Sequence, residues 1–274
     1  MAIITISRQV AALGDEVASA AAKELGYTFV TRKQIEQRIV ELGFPKEKLE
    51  KYDERKPGFF ASLAKGRDEY LNYLQYAVLE AASKGNCILI GRGAFVILED
   101  IPNLIPLRLI AKNSVRLERL KKEFNWNDKQ AQQRINESAE NRRGFHRDFF
   151  NTDHENPEHY ILTLNSGMLT EDEIVKIIVG FSKLCTEEQE KEGAKKIKNR
   201  LVAQELTNKL LYEHKLNINF LHAATSDSGD EITLQGVTDS QAVIEKAIEI
   251  SAKILPSCSI KSDISLTQDF KTFK

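Results

Sequence analysis

The sequence predicts an α/β domain, with a parallel sheet flanked by helices, followed by a small α+β domain. Over the first 185 residues or so, short apolar runs alternate with helical patterns, which is typical of a parallel sheet covered by helices. Residues 186–198 are then polar and highly charged. After that stretch the patterns run helix, strand, strand, helix, strand, over a length near that of a small independent domain.

The apolar runs place the strands of the first domain in chain order. The candidate strands are residues 3–6, 87–90, 107–110 and 160–164, with residues 27–30 as a short edge strand. Such runs are expected of strands that are buried on both faces. Residues 31–84 are helical in pattern, opening on a capping box of Thr31 and Gln34 and ending in a long helix over about residues 65–84. Thr170 and Glu173 form a second capping box before a further helix.

The change of pattern sets the domain boundaries. We assign residues 1–185 to the first domain, residues 186–195 to a charged linker that a capping box could make helical, and residues 196–274 to the second domain. In the second domain, Leu216, Ile218 and Phe220 alternate on one face of a predicted first strand.

Composition excludes several classes of protein. The 274 residues are 42% hydrophobic and 29% charged, as in ordinary globular proteins, and their net charge of −1 gives no reason to expect nucleic acid as a partner. The three cysteines, Cys87, Cys185 and Cys258, have neither metal-site nor disulfide-framework spacing, which indicates a reducing compartment. There is no signal segment and no integral membrane segment, so we expect a cytoplasmic protein.

A strand, a turn and a helix open the chain, and this is where a phosphate-binding loop belongs. The residues that would cradle the phosphates are Ser7, Arg8, Ala11, Ala12, Leu13, Gly14 and Asp15. Such a loop ordinarily uses glycines, so that backbone N–H groups point at the phosphates, together with a Lys and a Ser or Thr that contacts magnesium. We therefore expect the side chains of residues 11–13 to crowd the loop.

Several segments together resemble the cytidylate-kinase-like family of P-loop proteins. They are Ile4-Thr5-Ile6-Ser7-Arg8, Leu25-Gly26-Tyr27, Ile88-Leu89-Ile90-Gly91-Arg92-Gly93, Arg116, Glu140-Asn141-Arg142-Arg143-Gly144-Phe145, and Tyr160-Ile161-Leu162-Thr163-Leu164-Asn165. The resemblance covers residues 1 to about 180. It implies a P-loop NTPase-like fold, ATP and Mg²⁺ as cofactors, and ATP-dependent phosphoryl transfer to a CMP-like nucleoside monophosphate.

The loop departs from the family pattern at the residues that bind phosphate. Cytidylate kinases have Lys where Gly14 stands and Ser or Thr where Asp15 stands. Their carboxylates around the second strand are also replaced, which leaves Asp15 as the obvious metal ligand. Arg8 is the best local substitute for the lysine, because its guanidinium can bind two phosphate oxygens at once. The alternative is a surface arginine at the end of a strand.

Further arginines are candidate ligands of the nucleotide. In the resemblance Arg92, next to Gly91, contacts the acceptor phosphate; the alternative is a salt bridge to a neighbouring helix. The spacing of Glu137, Glu140 and Arg143 fits the lid pattern of cytidylate kinases, so Arg143 would close over the transferring phosphoryl group. The remaining candidates of this kind are Arg116, Arg142 and Arg147, with a solvated helix face as the alternative for the last two.

Other conspicuous side chains are interpreted as structural. His154 and His159 lie in a polar segment around Pro157, and no neighbouring residues complete a metal site. We expect Trp126, Phe149 and Phe150 to pack in the core or the lid rather than to stack on bases.

Residues 196–274 resemble a BON domain, most specifically in Leu234-Gln235-Gly236-Val237 and in the closing strand, residues 260–266. The resemblance implies a binding module that contacts phospholipid or protein, or that self-associates. Nucleotides are the expected partners of the first domain. Two alternatives to the kinase remain open: a catalytically degenerate nucleotide sensor, and a structural adaptor that acts through the BON-like domain.

Overall fold

The structure of the chain, a computed structural model, describes residues 2–49, 52 and 64–267. It divides into two compact units, Met1–Ala194 and Lys195–Lys274. Parts of the predicted helical stretch, residues 50, 51 and 53–63, and the end of the second domain, residues 268–274, lie outside the described residues. Within the described ranges, no helix combines the length and the apolar character needed to cross a membrane.

The first unit is built on a five-stranded sheet, and its strands follow the predicted apolar runs. The strands are β1 (Ile3–Arg8), β2 (Thr28–Val30), β3 (Cys87–Ile90), β4 (Leu104–Ile110) and β5 (Leu162–Asn165). Their order is β2-β3-β1-β4-β5, and every neighbouring pair is parallel. The predicted parallel α/β fold is therefore confirmed, with β1 at the centre and its carboxyl end between those of β3 and β4.

Helices flank this sheet. They are α1 (Gly14–Leu25), α2 (Arg32–Glu41), α3 (Lys46–Leu49), α4 (Ala64–Ser83), α5 (Ala94–Ile97), α6 (Asn113–Phe124), α7 (Asp128–Phe150) and α8 (Glu171–Ser182). The capping boxes predicted at Thr31 and at Thr170 are both present, and Asn127 forms a third at the start of α7. Residues 125–127 are the whole connection between α6 and α7, so these two helices stay close together.

The core explains why polar residues collect at one edge of the sheet. Ile4, Ile6 and Leu107 are at most 1% exposed and pack with α1 and α8 in one apolar cluster. The burial of β1 ends at its last residue, Arg8, which is partly exposed. Because the strands are parallel, the side chains that follow β1, β3 and β4 meet at the same edge, where ligands bind in sheets of this kind.

The second unit is a small α+β domain. It contains the end of α9 (Glu187–Asn208), a π-helical turn (Lys209–Glu213), β6 (Asn219–Thr225), β7 (Glu231–Thr238), α10 (Gln241–Ile254) and β8 (Ser259–Leu266). β7 pairs antiparallel with β6 and parallel with β8. The charged stretch that precedes this unit is helical, and the boundary between the units falls within α9.

The first predicted strand of this unit is wrong in register. β6 begins only at Asn219, and Phe220 has a left-handed φ of 53° and is 73% exposed. The pairing with β7 shifts between Asn219 and His222, which marks a β-bulge. The bulge reverses the alternation, so Leu221 and Ala223 face the core instead of Phe220.

Candidate functional site

The loop between β1 and α1 contains two strained residues. Ala11 and Leu13 have φ angles of 57° and 59°, in the left-handed region that glycine adopts at little cost. Leu13 directly precedes α1, whose first-turn N–H groups make a helix N-terminus at this edge of the sheet. The missing glycines therefore have a visible effect, which is backbone strain at Ala11 and Leu13.

The neighbouring strand and helix hold this loop in place. The Gln9 N–H donates to Leu109 O at 3.0 Å, and the Gln9 side-chain oxygen accepts from the Ala111 N–H at 3.1 Å. Arg119, in α6, donates to the carbonyl oxygen of Ala11 at 2.9 Å. These hydrogen bonds fix the loop to β4 and α6 and offset its strain.

Glycine at position 11 is expected to stabilise the protein. Ala11→Gly should raise the free energy of unfolding by about 0.5–1 kcal/mol, since it removes a left-handed alanine. Urea unfolding followed by the fluorescence of the single tryptophan, Trp126, measures this change. The matched control is Ala12→Gly, which should destabilise, because Ala12 is fully buried and is not among the residues with positive φ. Equal effects at positions 11 and 12 would contradict the assignment of strain.

Arg8 lies directly over Gly14. A Cβ atom built on Gly14 would stand 2.6 Å from Arg8 Cγ and 3.0 Å from Arg8 Cβ, which is too close for real atoms. The stem of Arg8 thus occupies the space where a side chain at position 14 would begin. The position of Arg8 on β1 therefore requires glycine at position 14, and the cation beside Gly14 comes from β1 rather than from α1.

A cleft of about 530 Å³ opens beside this loop. Its lining includes four arginines: Arg8, Arg32, Arg134 and Arg142. Sequence reasoning missed two of them. The signal for Arg134 was its spacing from Ser138 and Arg142, at four-residue intervals on one face of α7. The signal for Arg32 was its place as the first residue after Thr31, the cap of α2, beyond the end of β2.

The predicted lid arginines divide between the cleft and the surface. Arg142 lines the cleft and donates to Ser138 Oγ at 2.6 Å. Arg143 lies outside the described lining; its side chain is 57% exposed and pairs with Glu155 at 3.5 Å. Arg147 is 70% exposed and pairs with its neighbour Asp148. One residue along a helix turns the side chain by about 100°, so the lid spacing pointed to Arg143 where the structure places Arg142 in the cleft.

Arg92 lies beneath the site rather than at its surface. It is 1% exposed, and its guanidinium pairs with Glu36 and donates to Tyr70 Oη and Tyr52 O, each at 3.0 Å. These contacts match the alternative prediction, a salt bridge to a neighbouring helix, since Glu36 belongs to α2. A bound phosphate would have to displace Glu36 to reach Arg92.

A small pocket lies at the carboxyl ends of β1 and β3, next to Gly91 and Gly93. Its volume is about 10 Å³, enough for a single water, and Ser7, Phe95 and His146 are among the residues that line it. Ser7 itself is 7% exposed. A nucleotide is far too large for this pocket.

The other predicted ligands have mixed positions. Asp15 is exposed in the first turn of α1 and lines the cleft, whereas Ala12 is buried behind the loop. Arg116 donates to Ala111 O at 3.1 Å, and burial lowers the pKa of its guanidinium. Within residues 2–49, 52 and 64–267, no three His, Cys, Asp or Glu side chains are grouped so that they could hold a metal ion. Asp15 could therefore hold Mg²⁺ only together with phosphate oxygens.

His154 lies in a loop, as predicted, but it is buried. It is 4% exposed and stacks on His146, with ring centroids 4.7 Å apart. The pKa of His154 is lowered to about 3, chiefly by burial and then by electrostatic interaction with His146 and Arg108. Among the described residues, His154 Nδ1 has no hydrogen-bond partner. The imidazole is thus neutral at pH 7.

Stability is expected to fall as the pH is lowered because of His154. The unfolded side chain takes up a proton near pH 6.5, whereas the folded one stays neutral until about pH 3. The contribution of His154 to the free energy of unfolding is therefore fully present above pH 6.5 and is lost as the pH falls from there toward 3. Between pH 7 and pH 5 the expected loss is about 2 kcal/mol. Urea unfolding at both values measures it. His154→Phe, which keeps a ring beside His146, should show a smaller loss; an equal loss would contradict this cause.

The aromatic residues follow two patterns. Phe149 packs edge-on against Tyr70 and Phe150 against Phe145, so both are packing residues, in keeping with the prediction. Trp126 also contacts an apolar cluster that contains Leu120, but it lines the cleft as well.

Several solved structures are similar to this chain. An uncharacterized protein from Eubacterium ventriosum has a similar structure, with a TM-score of 0.53 and 16% identity over 67% of this chain and 99% of that one. A shikimate kinase from Bacteroides thetaiotaomicron matches with a TM-score of 0.41 and 15% identity over 66% and 98% of the two chains. A gluconokinase from Sinorhizobium meliloti matches with a TM-score of 0.41 and 16% identity over 70% and 97%.

The sequence comparisons settle the family. No curated protein matches the chain. The family model described as "Cytidylate kinase-like family" matches residues 3–168, which is more than half of the chain and spans β1 to β5. The fold of the first unit is accordingly a kinase-like, nucleotide-binding fold, and the chain belongs to the cytidylate kinase-like family.

Proposed function

We propose that this protein is a phosphotransferase that moves a phosphoryl group from ATP to a nucleoside monophosphate such as CMP. The observation that carries the proposal is the stem of Arg8 over Gly14 at the start of α1. A guanidinium at this place could bind two oxygens of the donor phosphates, in the role that a lysine fills in an ordinary phosphate loop.

The roles of the residues follow from their positions. Residues 7–15 and the N-terminus of α1 would hold the donor phosphates, with Arg8 as the principal cation. Arg134 and Arg142, on the wall of the cleft, would offset charge on the transferring group, so Arg142 takes the role first assigned to Arg143. Mg²⁺, held by Asp15 and the phosphates, would neutralise phosphate charge. Catalysis of this kind rests on positioning and electrostatics.

A nucleotide sensor is the second candidate function. The specific observation that favours it is the burial of Arg92, the predicted ligand of the acceptor phosphate, in an ion pair with Glu36. A protein that keeps its donor cleft but has lost its ligand for the acceptor phosphate would bind a nucleotide and transfer nothing. In that case another part of the chain, or a partner, would respond to the binding of the nucleotide.

The second unit is proposed as a BON-like binding module. Its helix-strand-strand-helix-strand order supports the proposal. Self-association or contact with phospholipid or protein are the expected activities of such a module. If the first unit bound no nucleotide, the protein would be an adaptor that acts through this unit.

Calorimetric titration with ATP and with CMP, each with and without Mg²⁺, tests these functions when it is combined with an ADP-release assay. A phosphotransferase should bind both nucleotides and release ADP only when Mg²⁺ and CMP are present. Binding of ATP without ADP release would establish the sensor. If neither nucleotide bound, the phosphotransferase and the sensor would both be wrong, and the adaptor would be the remaining function.

A further inference from the structure

Two stacked aromatic rings stand on the wall of the cleft. Phe124 is the last residue of α6, and Trp126 lies in the connection to α7. Their ring centroids are 4.6 Å apart and their planes 24° apart. Both residues line the cleft that also contains Arg8 and Gly14. Neither ring is needed for the phosphate chemistry proposed above.

The two rings differ in how far they are buried. Trp126 packs against the small apolar cluster that contains Leu120 and Ile135, whereas Phe124 is 49% exposed. Asn125, between them, has a left-handed φ of 53°, which turns the chain sharply between the two rings. Asn127 then begins α7 with a capping box, so the connection is fixed at both ends. The result is an anchored indole that supports an exposed phenyl ring.

The charges in the same cleft indicate what this surface would bind. Both signs of charge line the cleft, and its carboxylates are Asp15, Glu16, Glu123 and Glu137. The arginines, Arg8, Arg134 and Arg142 among them, suit an anion, and the aromatic pair suits a flat π-system. A ligand that carries both features is a nucleotide, and about 530 Å³ lies within the usual range for a small-molecule site.

We propose that Phe124 and Trp126 form the base-binding subsite of the cleft, on which the nucleobase of the bound nucleotide stacks. The inference rests on the proposed function and deepens it. Every base has a π-face, so recognition by stacking tolerates different bases. Purine nucleotides should bind more tightly than pyrimidine nucleotides, because they offer a larger face.

The single tryptophan makes the subsite directly observable. Titration with ATP should quench or shift the fluorescence of Trp126, whereas tripolyphosphate, which lacks a base, should bind and leave the emission unchanged. Phe124→Ala should weaken ATP binding about tenfold and leave the calorimetric affinity for tripolyphosphate unaltered. Phe124→Leu, which keeps apolar bulk without a π-face, should behave in the same way, and Phe124→Tyr should restore affinity.

The control is Phe220→Ala, since Phe220 is an exposed phenylalanine in the second unit; it should change neither affinity. If ATP and tripolyphosphate lose affinity equally in Phe124→Ala, the ring only supports the cleft and the subsite is wrong. If Phe124→Ala binds ATP as tightly as the wild type does, and tripolyphosphate as tightly too, the subsite is again wrong and the proposed function stands. If neither ligand binds the wild type, the proposed function fails together with the subsite.

Discussion

Arg8→Ala is expected to lower the rate of phosphoryl transfer by about a hundred- to thousandfold, and with it the affinity for ATP. Loss of one preorganised donor to a developing charge has an effect of this size. Arg8 is the arginine that lies directly over the start of α1, where the phosphates are expected. Arg8→Lys should recover part of the loss, because it keeps the charge but not the bidentate geometry.

The measurement is the ADP-release rate at saturating CMP, together with calorimetric ATP affinity. Lys23→Ala is the matched control: it removes one exposed cation from the last turn of α1, at the other end of that helix, and should change neither quantity. If Arg8→Ala retained its rate and its ATP affinity within about twofold of the wild type, Arg8 would be an ordinary surface arginine at a strand end.

Arg92→Ala is expected to destabilise the first unit by about 3–5 kcal/mol. Removing one partner of a buried ion pair leaves the other partner's charge uncompensated, and here Tyr70 and Tyr52 would also lose a hydrogen bond. Urea unfolding followed by Trp126 fluorescence reports on this unit. Glu36→Gln should cost less, since the Glu36 side chain is 20% exposed whereas that of Arg92 is 1% exposed.

The same variant separates the two interpretations of Arg92. If Arg92 were a phosphate ligand, Arg92→Ala would weaken CMP binding strongly and change the free energy of unfolding by less than about 1 kcal/mol, as surface substitutions do. If Arg92 instead holds α2 through its buried ion pair, the order of effects is reversed. If Arg92→Ala kept its free energy of unfolding and lost its affinity for CMP, Arg92 would be a ligand of the acceptor phosphate.

The sequence predicts the sheet well, because strands that are buried on both faces leave continuous apolar runs such as residues 87–90. It also predicts the position of the loop and of Arg8, because both are local to the end of β1. The register of β6 could not be read in this way, since the bulge at Phe220 breaks the alternation on which the prediction depends.

The rest of the site depends on contacts that are distant in sequence. The partner of Arg92, Glu36, precedes it by 56 positions and lies on another helix. Arg32 and Arg134 enter the cleft from α2 and α7, and only the fold brings them to Arg8. Which of Arg142 and Arg143 faces the cleft depends on rotation about α7, which spacing alone could not resolve.

The central claim is that Arg8 occupies the place of the missing lysine, and a double-mutant measurement of ATP affinity tests it most directly. Gly14→Lys alone should impair binding, because its Cβ would meet the Arg8 stem at 2.6 Å. Arg8→Ala alone should impair binding by removing the cation. The combination of Arg8→Ala with Gly14→Lys should restore ATP affinity well above that of either single variant. If the two losses simply added, the cation would not act from this position and the claim would be wrong.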